Sequence, residues 1–327
     1  MNVLVVGGAG YVGGAVTDIL ANMNHNVRVY DALLYEESYR KPVDFVYGDV
    51  RDTQKLKPLL GWADAVIWLA ALVGDGACQL NPEISVEINL ESVRWLSENF
   101  DGRIIFMSTC SVYGAQDNVV LNEGSATDPL SVYAVTKLGA EKWLAEKNAI
   151  IFRLGTLFGV GDRFSRLRLD LVVNTLTVAA WRRGKISVFG GEQFRPLLHV
   201  RDAARMCVEH VGTAPRGIFN LHRQNVRIID LAFQVRNHFP DLVIEQTPMQ
   251  FQDARNYRVS SEKAATVLGF HPSGSIDSGI EEIKDLVENS RLRDLSNPRY
   301  ANQGFLALFN THKMPVLVQQ TAVEVGQ

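Results

Sequence analysis

Short apolar runs alternate with stretches of helical apolar spacing along the first half of the chain. The runs at 2–6, 27–30, 43–47, 64–71, 103–108 and 149–153 predict strands, and the periodic stretches near 12–22, 53–60, 83–99 and 132–147 predict helices. Asn81-Pro82 opens one helix and Asp101-Gly102 follows it, ordinary punctuation for a start and a stop. Strands alternating with helices at this spacing imply an α/β fold with a parallel sheet covered on both faces. After about residue 155 the rhythm changes. Helices near 167–183, 200–211, 227–237 and 276–289, with strands near 186–189, 217–221 and 242–246, read as a smaller mixed α/β lobe. The expected division is 1–165 for the large domain, with returns of the chain from its second half, 166–290 for the lobe and 291–327 for a tail. In the tail, 297–303 reads as loop and the end has no clear period. A wrap over the body or a partner subunit and a partly ordered end are equal readings.

The first strand–helix junction carries a specific motif. Gly7-Gly8-Ala9-Gly10-Tyr11-Val12-Gly13 follows Val3-Leu4-Val5-Val6, and Asp31 ends the next apolar run, Val27-Arg28-Val29-Tyr30. This is the order of a nucleotide-binding βαβ unit. Gly7 permits the tight turn, Gly10 lets the backbone approach a pyrophosphate, and Gly13 lets the helix pack closely on the sheet. The helix's free N–H groups face the phosphates. Asp31 is expected to accept from the ribose hydroxyls and to repel a 2′-phosphate, favouring NAD over NADP. The fold expected is therefore a Rossmann-type doubly wound parallel sheet, followed by the smaller mixed C-terminal lobe.

Composition narrows the setting. At 327 residues and 46% hydrophobic, the chain can bury a large core, and a net charge of −3 offers no electrostatic reason to bind nucleic acid or an anionic membrane. Cys78, Cys110 and Cys207 form no CxxC, which argues for a reducing compartment and against disulfides or a structural metal. The N-terminus lacks a signal-peptide pattern and no run is long enough to span a bilayer. A soluble, cytoplasmic protein is expected.

Tyr133 and Lys137 stand four residues apart in a helical pattern, so they share one face. A cation beside the phenol favours its ionised form, and Tyr133 is then able to take a proton from a hydroxyl. Upstream, the strand at 104–107 runs into Ser108-Thr109-Cys110-Ser111-Val112-Tyr113-Gly114, at the strand end where ligands of such sheets bind. For Ser108 and Thr109 the competing reading is turn or cap chemistry. For the Tyr–Lys pair it is a solvated helix face.

Taken together, these motifs resemble the extended short-chain dehydrogenase/reductase superfamily, in particular its NAD-dependent nucleotide-sugar epimerases and dehydratases. Gly48-Asp49-Val50-Arg51-Asp52, Leu69-Ala70-Ala71 and the stretch 194–202 complete the set, in family order over about residues 1–272. The resemblance implies a catalytic triad of Thr109, Tyr133 and Lys137. It implies NAD contacts at Gly7, Gly10, Tyr11, Val12, Gly13, Asp31, Asp49, Val50, Leu69, Ala70, Ala71 and Ser108, as well as at Tyr133 and Lys137 themselves. Asn89 matches a structural or cofactor-side asparagine. On the substrate side it implies Thr109, and Asn174 and Arg195 on the nucleotide diphosphate, for which a planar arginine fork is suited; Arg255 is a further diphosphate candidate, with a surface arginine as its equal reading. His199 is expected to pack rather than to act as a base.

Departures select the reaction. Sugar 4,6-dehydratases place an Asp-Glu pair after the catalytic Thr, where this chain has Cys110-Ser111. An acid/base cysteine, where related enzymes use one, stands two residues after the catalytic Ser, a position occupied here by Ser111. Cys110 reads as a buried, inert thiol, and no histidine occurs in 153–162. Thr156 replaces a frequent diphosphate-binding asparagine, and the loop at 73–77 lacks the basic residue of UDP-galactose-type epimerases. The implied function is an NAD-dependent epimerisation, most simply at C4 through a keto intermediate. A C4 dehydrogenase or 4-keto reductase uses the same residues, and a non-catalytic NAD-binding scaffold is the alternative of another class. The family also implies a homodimer, with Val86, Leu90, Val93, Leu138 and Leu144 as candidate interface positions.

Overall fold

The computed structural model describes residues 1–116, 119–162, 164, 166–248, 256–289, 292 and 294–308. Seven parallel strands form its central sheet: β1 (Asn2–Val6), β2 (Asn26–Asp31), β3 (Asp44–Tyr47), β4 (Ala65–Trp68), β5 (Arg103–Thr109), β6 (Ala149–Leu154) and β7 (Gly217–Leu221). Their order is β7-β6-β5-β4-β1-β2-β3. Chain direction reverses between β1 and β4, so a crevice opens at the carboxyl ends of these two strands. Helices cover both faces, which is why β1 is apolar on both. Val3 and Val5 enter one core cluster while Leu4 and Val6 enter the other.

Two elements of the second half return to this domain. Strand β7, expected in the small lobe, pairs with β6, and the helix Val200–Glu209 packs on the helix Tyr11–Ala21. The lobe keeps the helices Val172–Arg183, Ile228–His238 and Ile276–Glu288 around Val173, Leu231 and Ile280. Its three-stranded sheet centres on Phe194–His199, a strand the apolar pattern does not predict. Pro196 hides it, because proline argues against a central strand.

The stretch 83–99 is one continuous helix, as expected, but not a uniform one. It runs as Pro82–Val86, a π turn Glu87–Glu91 and Ser92–Asn99. The wider turn carries Asn89 inward, where it accepts from Leu72 N at 2.8 Å and donates to Leu72 O at 2.9 Å. Of the suggested interface positions, Val93 and Leu144 belong to the core, while Val86 is exposed. The tail is not wholly loop either. Asn302–Leu308 is a helix against Asp75–Leu80, with Leu306 packed on Leu72, Ala77 and Cys78. Residues 309–327 and Arg255 lie outside the described residues. No described helix is long and apolar enough to cross a membrane.

Candidate active site

A cleft of about 1800 Å³ runs along the carboxyl ends of the central strands and under the small lobe. That exceeds the few hundred to 1,000 Å³ usual for one small ligand. At one end lies the glycine turn. Gly7 has φ +88°, and a Cβ there would stand 2.5 Å from Ala70 N. A Cβ on Gly13 would stand 2.2 Å from Gly7 O. Only glycine fits either place. Gly10 begins the first helix with no side-chain cap and no acid in the first turn, which leaves its leading N–H groups to an anion.

Asp31 faces the same cleft. Its carboxylate accepts from Ala9 N at 2.9 Å and Leu33 N at 2.7 Å, tying the glycine turn to the loop after β2. Burial raises its pKa and the two amides lower it, while its remaining lone pairs face the cleft. Val50, Leu69, Ala70 and Ala71 also line it. Asp49 lines it too, with its carboxylate forked by Arg51 at 2.8 and 3.0 Å. Tyr11 spends its hydroxyl on Gly159 O at 2.6 Å, which joins the two lobes.

The helix Val132–Leu144 starts where Ser131 Oγ accepts from Ala134 N. It brings Tyr133 and Lys137 to the cleft beside Thr109 at the end of β5. Thr109 Oγ1 accepts from Ser111 N at 3.1 Å. The turn-cap reading therefore holds for this residue, yet its hydroxyl proton stays available to a ligand. Lys137 Nζ donates to Met107 O at 2.8 Å and lies 4.6 Å above the Phe106 ring. Burial pushes its pKa down to about 8. Tyr133 moves the other way: burial pushes its phenol up, while Arg168 pulls it down.

Other expected residues are placed differently. Ser108 lines the cleft, but its hydroxyl donates to Glu141, which is locked to Arg153. Arg195 lines the cleft with Nη1 on Phe194 O at 2.8 Å. Asn174 is not brought to it. Fully buried, Asn174 accepts from Gly159 N at 3.0 Å and donates to Arg168 O at 2.7 Å, so its amide shapes a wall instead of meeting a ligand. His199 accepts from Arg201 N at 3.2 Å and faces Glu282 at 2.9 Å.

Sequence reasoning missed one wall. Arg166, Arg168 and Asp170 line the cleft, as do Tyr35, Asn302 and Gln303. A signal existed in Arg166-Leu167-Arg168-Leu169-Asp170, whose strict alternation puts three charges on one side of an extended segment. The helix begins only at Val172.

The model of the NAD dependent epimerase/dehydratase family matches residues 3–221. The chain belongs to this family. A UDP-glucose 4-epimerase of Halalkalibacterium halodurans is 30% identical over 307 residues, spanning 83% of this chain and 91% of that protein. The fold is shared with UDP-glucose 4-epimerase of Thermotoga maritima, solved with UDP-glucose, at TM-score 0.78 and 22% identity over 89% of this chain and all of the other. It is shared equally with DesIV, a dTDP-glucose 4,6-dehydratase of Streptomyces venezuelae solved with NAD bound, at TM-score 0.76 and 22% identity over 89% and 98% of the two chains. The family's cofactor is NAD, and the cradle fits it. The glycine turn brings an uncapped helix N-terminus to the cleft, and Asp31 stands at the end of β2 on the same cleft.

Proposed function

We propose that the protein interconverts the C4 epimers of a nucleotide sugar. The observation that carries this reading is the setting of Cys110 and Ser111, the two residues after Thr109. Cys110 is fully buried, its Sγ donates to Arg153 O at 3.2 Å, and burial pushes its thiol far up. Ser111 stands 3.4 Å from the Tyr257 hydroxyl. Neither offers the acid and base that expulsion of a C6 hydroxyl needs. Likeness to a dehydratase fold does not count against this, because fold does not fix reaction.

NAD, held by the glycine turn and Asp31, would supply the hydride acceptor at C4. Tyr133 removes the proton from the C4 hydroxyl, with Thr109 donating to the same oxygen. Lys137, fixed by Met107 O, supplies the positive charge that offsets the burial of the phenol. The keto sugar turns over in the cleft so that C4 would take the hydride back on its other face, and Tyr133 returns the proton to the C4 oxygen. Gly7, Gly10, Val12, Gly13, Asp31 and Val50 hold the dinucleotide, and Arg195 meets the substrate diphosphate. Similarity to UDP-glucose 4-epimerases favours UDP as the nucleotide. The sugar differs from galactose, since the loop after Ala71 presents Asp75, bonded to Ser131 at 2.6 Å, and no base. Two copies pair through the helices that leave Val86, Val135 and Trp143 exposed.

The test is reduced-nicotinamide absorbance during turnover of a UDP-sugar panel with added NAD, with sugar consumption counted in parallel. Conversion without net absorbance supports internal hydride return. Absorbance rising one-for-one with sugar consumed makes the enzyme a dehydrogenase.

A further inference from the structure

Arg166 is 5% exposed and lines the cleft, yet among the described residues no carboxylate pairs with it. Nε and Nη2 donate to a single carbonyl, Arg299 O, at 3.3 and 3.0 Å, and the guanidinium carbon sits 3.4 Å from the centre of the Tyr35 ring. Burial draws its pKa down to about 10. Two residues on, Arg168 is in the opposite condition, forked by Asp170 at 2.9 and 3.0 Å. Asp170 and Glu36 act on this charge only from beyond ion-pair distance; a buried cation without a carboxylate in contact is costly, and an anion arriving from outside removes the cost.

The neighbours of Arg166 say which anion. Tyr35 belongs to the loop that continues from Asp31, the acid at the ribose end of the cradle. The same cleft holds the uncapped helix N-terminus at Gly10. The C-terminal segment then fastens Arg166 from behind and bridges both walls. Arg299 pairs with Glu37 at 2.8 Å, Leu169 N donates to Tyr300 O at 2.9 Å, the Asn302 backbone N donates to Asp170 Oδ2 at 2.8 Å, and its side-chain Nδ2, the bond that Asn302→Ala removes, donates to Val73 O at 2.6 Å. This segment lies beyond the residues that the family model matches.

We propose that Arg166 binds the diphosphate of the dinucleotide, adding to the helix N-terminus, and that the segment 298–308 is the strap holding it there. The proposal stands whichever sugar reaction the enzyme performs.

Calorimetric titration of the full chain, stripped of nucleotide, with NAD, adenosine and UDP tests it in wild type, Arg166→Gln, Arg166→Lys and Asn302→Ala. Arg166→Gln is expected to weaken NAD about ten- to a hundredfold, the worth of a charge-assisted hydrogen bond, and to leave adenosine and UDP unchanged. Arg166→Lys keeps the charge without the fork and falls between. Asn302→Ala loosens the strap and weakens NAD by a smaller factor. Unchanged NAD affinity in Arg166→Gln overturns the proposal, as does equal loss of adenosine or a loss that falls on UDP. Should Arg166→Gln fail to fold, wild-type NAD affinity in Asn302→Ala overturns it.

Discussion

Lys137 on the helix Val132–Leu144 and Arg153 on β6 are buried cations on the same side of that helix, and they are treated in opposite ways. Arg153 meets Glu141 at 2.6 Å, with Ser108 on the same carboxylate. Its charge is held firmly in place, and burial is overcome by the acid. Lys137, one turn before Glu141, has a carbonyl and a ring and no carboxylate partner in hydrogen-bond contact, so burial dominates. Arg168 and Arg166 repeat the contrast across the cleft. A compensated cation stabilises the framework, whereas a cation left short of charge at a cleft is poised for a ligand. Arg103 limits the rule. It too lacks an acid, but it sits at the far end of β5 and meets His210 O, Asn148 Oδ1 and Pro215 O. Position in the cleft is the second requirement.

Five substitutions break or sharpen this comparison. Tyr133→Phe removes the proton acceptor that Lys137 serves, and turnover of the converted sugar should fall by about 10²–10⁴ with NAD affinity retained. Arg153→Met acts on the framework instead. It leaves Glu141 buried without its partner and should lower the unfolding free energy by about 3–5 kcal/mol in urea titration. Replacing Glu141 by Leu as well should recover most of that loss, because the cost is the orphaned charge.

Lys137→Met tests both sides at once. Turnover should fall by about 10²–10³, the scale of a lost electrostatic contact in the transition state. Stability should respond to pH with a definite sign. The unfolded chain keeps the lysine proton up to about 10.5 and the folded chain releases it near 8, so the destabilisation is complete below pH 8 and fades as pH rises to 10.5. The methionine variant's melting temperature, relative to wild type, should therefore be highest below pH 8 and decline across that window. A flat difference would mean that Lys137 is compensated after all. The smallest effect belongs to Cys110→Ala. Its thiol is sealed behind the site, so activity should stay within about twofold, surface-like in magnitude. A large drop would return Cys110 to the chemistry.

Much of this is legible in the chain alone. The glycine turn, Asp31 and the strand–helix rhythm depend on neighbours along the sequence, and β1 and β2 lie within a residue or so of their expected bounds. Tyr133 and Lys137 are fixed relative to each other by one helix. Asn174 escapes such reading because helical spacing tells which face a residue occupies but not what that face meets, and here it meets the backbone of Gly159 and Arg168. The strand Phe194–His199 is hidden by a proline tolerated through long-range pairing on both sides.

The sequence by itself determined the doubly wound sheet, the dinucleotide cradle and the Tyr–Lys helix, because each follows from periodicity and local turn chemistry. Tertiary structure alone decided that β7 extends the central sheet and that residues 301–304 and 307 line the cleft. It also decided which buried cations received an acid. Glu141 and Arg153 are twelve residues apart, whereas Arg166 depends on Arg299, 133 residues away. Compensation of charge is a property of who lies within a few ångströms in the folded chain, and Coulomb energy reads that distance and not the distance along the sequence.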